Sequence, residues 1–215
     1  MPALCSWSGG KDSCLALYRA AGLNMEISTL LCMLHEDGNV SRSHGISRRV
    51  LETQAIALRR EIVFGSATWG GYESAFIARL KELKIQGIGQ AVFGDIDLDA
   101  HREWEERVCD EADMEAILPL WGEQRRRLVD EFLEAGFRAI IVSVRDKSMV
   151  HWLGRDFCEA FIGEAETIGW DACGENGEFH TFVYDGPNFE NPVQYKLADV
   201  HQEKNYFFAP LLPSE

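Results

Sequence analysis

The sequence lacks most of what marks a membrane, secreted or nucleic-acid-binding chain. No apolar run approaches the ~18 residues of a membrane-spanning helix. The longest, Ile27 to Leu34, has the length of a strand. Met1-Pro2-Ala3-Leu4-Cys5 carries neither the basic segment nor the long apolar one that opens a secretory signal. Positive charge is scarce: 21 Lys and Arg stand against 35 Asp and Glu, a formal charge of -14. Such a surface repels a phosphate backbone on average, which argues against general DNA or RNA binding. The densest basic run, Arg125-Arg126-Arg127, reads as a solvated helix face, because successive helical side chains point about 100° apart. Of the six Cys, none forms a CxxC pair and none stands at ligand spacing from a His. That pattern predicts reduced, mostly buried thiols and no zinc site. The expectation is a cytoplasmic protein with no membrane partner.

Repeats, low-complexity tracts and flexible linkers are also missing. At 215 residues the chain can form one compact domain with a small appendage. Its first part alternates short apolar runs with helical spacing, the pattern of a parallel sheet with crossover helices. The fold class expected is α/β, a Rossmann-like parallel sheet with helices on both faces over residues 1–146, followed by a small α+β region over 147–215. The apolar run Arg138 to Val144 is counted with the first part, and a helix is predicted from roughly Trp152 to Gly163. Trp69, Trp104, Trp121, Trp152 and Trp170 are expected in the core or in domain contacts.

What is present begins with Ser8-Gly9-Gly10-Lys11-Asp12-Ser13, between the strand-like run Ala3 to Trp7 and a helical pattern from Asp12 to Ala21. A helix N-terminus presents free N–H groups and a dipole that favours an anion. Two glycines let the backbone approach a phosphate closely. Ser8 and Ser13 can donate hydroxyl hydrogen bonds, Lys11 can neutralise a phosphate, and Asp12 can hold Mg²⁺ or its water. The run is neither GxxxxGK[ST] nor GxGxxG. A helix cap with a glycine turn is the simpler alternative, and the full hexamer at this position favours a phosphate.

The hexamer resembles the pyrophosphate loop of the N-type ATP pyrophosphatases, which share the adenine-nucleotide α-hydrolase fold. Four further segments resemble the branch that contains diphthine–ammonia ligase. They are His44-Gly45-Ile46, Gly94-Asp95-Ile96, Pro119-Leu120-Trp121, and Gly174 to Thr181 continuing to Asp185-Gly186-Pro187. The Asn176 and His180 form of the last motif is similar to a bacterial subgroup; many other members have Gly and Glu there. The resemblance implies an ATP-dependent amide ligase that releases AMP and pyrophosphate. It would adenylate a carboxylate that ammonia then attacks, with ATP and Mg²⁺ as cofactors. The acceptor implied is diphthine on an elongation factor, or another carboxylate where diphthamide is not made. Dimerisation through the C-terminal region is expected. A non-catalytic adenine-nucleotide-binding module is the alternative.

Site residues follow. Ser8, Gly9, Gly10, Lys11, Asp12 and Ser13 are assigned to ATP. The backbone around Leu34, at the end of the second strand, is placed to meet adenine. His44 and Gly45 lie in the next loop and either approach the nucleotide or sit on the surface. Gly94 and Asp95 follow an apolar strand, and Asp95 contacts substrate or metal or caps a helix. Glu175, Asn176, Gly177, Glu178, His180 and Thr181 form either a substrate site or an Asn-Gly turn with solvated neighbours. Lys11, Asp12, Glu175, Glu178 and His180 are the catalytic candidates, with Glu178 or His180 as the base for ammonium.

Overall fold

The apolar run at the N-terminus forms β1 (Ala3–Ser6), and the longest run forms β2 (Ile27–Leu34). The computed structural model describes residues 2–214. Contacts divide the chain into two units, the first made of the chain through Ser8, Asp12–Arg42 and Arg59–Glu123. In that unit β1 and β2 join β3 (Glu61–Ser66), β4 (Gln90–Val92) and β5 (Glu115–Ile117). They form a sheet of order β3-β2-β1-β4-β5 in which every pairing is parallel. The helices α1 (Lys11–Gly22), α2 (Arg48–Ala57), α3 (Tyr72–Ile85) and α4 (Asp99–Asp110) follow the first four strands in turn. Leu31 and Met33 of β2 share one apolar cluster with Phe76 and Leu80 of α3 and Val108 of α4. Leu30, Cys32 and Leu34 point the other way and are equally buried. Burial on both faces is why β2 reads as an unbroken apolar run rather than an alternating one. The expected parallel α/β sheet is therefore present. Its strand order reverses between β1 and β4, and in such sheets ligands bind beyond the strand C-termini at that switch point.

The second unit comprises Gly9–Lys11, Ser43–Leu58 and the chain from Gln124. It contains α2, α5 (Arg125–Glu134), β6 (Arg138–Val144), α6 (Glu159–Thr167), β7 (Phe179–Asp185), β8 (Tyr195–Leu197), β9 (His201–Glu203), β10 (Tyr206–Phe208) and β11 (Leu211–Pro213). An antiparallel sheet runs β7-β6-β10-β9, and β11 pairs with β8. The core here is aromatic. Phe132 stacks on Phe137 at 4.9 Å, and Phe161 meets Phe179 edge-on at 4.8 Å. Edge-on and offset contacts of this kind add about 0.5–1.5 kcal/mol each beyond area burial.

Three expectations are corrected. Counted from sequence with the first part of the chain, β6 instead pairs antiparallel with β7 and β10. An apolar run that is buried on both faces carries no mark of which sheet it joins. The helix predicted from Trp152 begins only at Glu159. A 3-10 turn spans Lys147–Trp152, Gly154 takes φ 76°, and the following backbone bonds along β6, with Gly154 N–H on the Ile141 carbonyl at 2.8 Å. Trp69 is 78% exposed rather than in the core, with the Arg42 guanidinium 5.2 Å from its ring centroid. The basic run of α5 is anchored more than expected. Arg125 pairs with Asp171 at 2.8 Å, and Arg126 with Asp130 and Glu159. Among the described residues no helix is long and apolar enough to cross a membrane.

Candidate nucleotide-binding and catalytic site

The glycine pair after β1 turns sharply. Gly9 sits at φ 81°, in the left-handed region that an L side chain rarely adopts. Its carbonyl accepts the Val183 N–H of β7 at 2.9 Å. At Gly10 the constraint is space: a Cβ would lie 2.6 Å from His44 Nε2 and 3.1 Å from the Thr181 carbonyl oxygen. Lys11 N–H donates to Thr181 Oγ1 at 3.1 Å. The loop backbone is thus seated along β7, the strand into which the Gly174 to Thr181 motif leads. Lys11 is 5% exposed, with Nζ 5.9 Å from the Phe179 ring centroid.

His44 and His180 meet in the same unit, ring centroids 4.5 Å apart. Burial first, then His180 and the Lys11 charge, holds the His44 imidazole well below its ordinary pKa. Burial, with Lys11 behind it, lowers His180 to about 4. Both rings are therefore neutral at physiological pH, each with one ring nitrogen that can accept a hydrogen bond. His44 Nδ1 is buried with no hydrogen-bond partner among the described residues. The surface alternative for His44 gives way to a contact with the loop. Gly45, at φ 66°, lies instead against the Phe208 ring.

The rest of the C-terminal motif is a braced turn. Buried Glu178 accepts the Asn176 N–H on one carboxylate oxygen at 3.0 Å and the Asn176 Nδ2 on the other at 3.1 Å. Glu175 N–H donates to Asp171 Oδ2 at 2.9 Å. The Gly177 carbonyl accepts the Tyr206 hydroxyl at 2.8 Å. Glu178 is committed to the turn, which leaves His180 as the titratable side chain of this motif beside the loop. Asp171, Tyr206 and Arg145, whose Nη1 donates to the Asn176 carbonyl at 3.2 Å, had no motif to announce them. Nor had Gln54, a polar side chain among the buried Val50, Leu51 and Ala55 of α2. A glutamine at a core position of an amphipathic helix was the signal that could have found it.

In the first unit, Ser8 Oγ and Ser13 Oγ are 3.1 Å apart, and Asp12 stands in the first turn of α1. Gly94, just beyond β4, approaches that turn so closely that a Cβ would lie 2.9 Å from the Asp12 carbonyl carbon and 3.0 Å from Ser13 N. Asp95 does not cap α4, whose N-cap is Leu98. It bonds His101 Nδ1 at 2.6 Å. Burial alone would raise the Asp95 carboxyl, but its hydrogen bonds with His101 and Glu105 hold it low. Glu105, buried on α4, is pushed up to about 11 by burial and then by Asp95, so it is a neutral acid. Leu34 is fully buried, and the neighbouring His35 N–H donates to the Val40 carbonyl at 2.9 Å. Arg19 Nη1 donates to the Pro119 carbonyl at 3.0 Å, tying that motif to α1. Among the described residues no group of three or more His, Cys, Asp or Glu could hold a metal by itself. A single carboxylate such as Asp12 suits Mg²⁺, which takes most of its ligands from phosphates and water.

Residues 1–116 match the diphthamide synthase N-terminal domain, and residues 124–209 match the diphthamide synthase C-terminal domain. Curated relatives include three diphthine–ammonia ligases. That of Rattus norvegicus is 25% identical over 236 residues, covering 95% of this chain and 86% of the relative. That of Danio rerio is 25% identical, covering 95% and 90%. The Homo sapiens protein is 24% identical, covering 95% and 86%. A solved structure described as a predicted subunit of tRNA methyltransferase from Methanocaldococcus jannaschii aligns with a TM-score of 0.47 and 15% identity, over 90% of this chain and 100% of that one. A likeness of that strength carries no functional weight. The two domain matches together span most of the sequence, and the chain belongs to the diphthamide synthase family.

Proposed function

We propose that the protein is an AMP-forming, ATP-dependent amide ligase. A substrate carboxylate oxygen attacks the α-phosphorus of ATP, the bond to the β-phosphate breaks, and pyrophosphate leaves. Ammonia then attacks the acyl carbon, AMP departs, and a proton is lost to give the amide. Adenylation is needed because a carboxylate has no good leaving group. The observation that carries the reading is the seat of the loop on β7. The Gly9 carbonyl and Lys11 N–H bond to Val183 and Thr181, which brings the phosphate-binding backbone onto the strand of the C-terminal motif. Helix and loop N–H groups, together with Lys11, neutralise the phosphates. Asp12 would hold Mg²⁺, which would screen phosphate charge. Ser8 and Ser13 supply hydroxyl donors to the phosphates.

His180, neutral at physiological pH, orients the attacking ammonia as a hydrogen-bond acceptor. Glu178 holds the turn, and Asn176, Gly177 and Thr181 frame the acceptor side. In the first unit, Gly94 and Asp95 are assigned to substrate. The acceptor is diphthine, the substrate for which the related ligases are named, carried on an elongation factor as the sequence resemblance implies. We place the enzyme in the cytoplasm as a homodimer, consistent with the half-exposed Leu197 and Leu212 on the β8–β11 pair. Incubation with α-labelled ATP, ammonium and the acceptor protein tests the chemistry. Labelled AMP with stoichiometric pyrophosphate and amide is expected. Formation of only ADP and phosphate would refute it.

A further inference from the structure

Gln54 is fully buried in the apolar face of α2. A primary amide in such a place is costly unless its hydrogen bonds are made. Its Nε2 donates to the Gly9 carbonyl at 3.0 Å and to the Val183 carbonyl at 2.7 Å. Val183 N–H donates to the same Gly9 carbonyl at 2.9 Å. The Gly9 oxygen is therefore gripped by two donors, and the side-chain donor is itself tied to the strand that provides the other. Gln54 Oε1 and Leu51 Cδ2 each stand 2.9 Å from where a Cβ on residue 9 would be, closing the space behind the loop.

The consequence lies in the next atom along the chain. The described residues contain no cis peptide bond. In a planar trans peptide the C=O and the following N–H point in opposite directions. Gripping the Gly9 carbonyl toward β7 turns the Gly10 N–H away from it. Glycine backbones otherwise flip readily between such orientations. We propose that Gln54 is a positioning residue for the phosphate loop: it holds the Gly9–Gly10 peptide in one orientation, and with it the loop backbone that a phosphate meets. Gln54 does not itself touch the ligand. The proposal rests on the reading that this loop binds nucleotide phosphates.

Calorimetric titration of the full-length protein with pyrophosphate, and with an ATP analogue carrying a methylene bridge between the α- and β-phosphates, tests both. The wild type is titrated first; no binding of either ligand there refutes the phosphate reading, and this proposal with it. Given wild-type binding, Gln54→Met keeps the volume but removes both donors. Its Kd for each ligand should rise about tenfold, the scale of one lost hydrogen bond. In steady state KM for ATP should rise with little change in kcat. Phe132→Leu, a core change in the same unit, should lower the melting temperature and leave Kd unchanged. Gln54→Glu sets a carboxylate against two carbonyl oxygens, and protonation restores a donor. Its Kd should therefore improve as pH falls from about 8 to about 5.5, relative to wild type, because burial raises a carboxyl pKa into that range. Wild-type Kd in Gln54→Met overturns the proposal. Should that variant not fold, a Gln54→Glu affinity equal to wild type across the pH series overturns it.

Discussion

Acidification should cost this protein stability through His180, by an amount that can be worked out. Burial and Lys11 lower its pKa from 6.5 to about 4. Unfolding restores the ordinary value, so between those limits the unfolded chain binds a proton that the folded protein does not. The stabilisation is fully present above pH 6.5 and is lost as pH falls toward 4. At about 1.36 kcal/mol per pKa unit the whole difference is about 3 kcal/mol, of which about 2 kcal/mol disappears between about pH 7 and about pH 4.5. That is a large share of the roughly 5–15 kcal/mol typical of a folded protein. His44, lowered by the same burial, acts in the same direction. Carboxylates also titrate in this range, so the informative quantity is the difference between wild type and His180→Gln, which stays polar but takes no proton. Guanidinium unfolding can be followed by the fluorescence of Trp152 and Trp170, which contact Phe161 and Phe179 in the aromatic core. The variant should lose about 2 kcal/mol less than wild type over that interval. Equal losses would show that His180 is not held neutral by its surroundings, and the reasoning would fail.

Two further substitutions probe the first unit. Glu105, at about 11, must stay protonated when folded although it ionises freely when unfolded, so its contribution is present below pH 4.5 and is lost as pH rises. Glu105→Gln should raise stability at about pH 7 by up to about 3 kcal/mol, with the gain vanishing near about pH 4.5; a loss at neutral pH in denaturant titration would contradict the assignment. Gly94→Ala would drive a methyl to within 3.0 Å of the Asp12 and Ser13 backbone, which cannot rotate aside. A destabilisation of about 1–3 kcal/mol and weaker nucleotide binding are expected from thermal melts and titration. An unperturbed melt would mean that the first turn of α1 shifts without cost.

Local features were legible in the sequence because their causes are local. A short apolar strand, a glycine pair and a helical start within thirteen residues suffice to place Ser8 to Ser13 at a helix N-terminus, and the structure has α1 beginning at Lys11. The length and two-sided burial of β2 were likewise written in one unbroken run. Tertiary structure decided what that run of causes could not. Gln54 and the Val183 carbonyl are separated by 129 positions, and Lys11 and Thr181 by 170, so no periodicity links them. Which sheet accepted β6 depended on the neighbours available to its edges. Glu178 and His180 read from sequence as equal candidates for a base; the Asn176 bonds drew one into the turn, and burial beside Lys11 made the other a neutral imidazole. Composition and spacing determine which side chains are available for chemistry, but hydrogen-bond partners and dielectric surroundings are assigned only when distant segments are brought into contact.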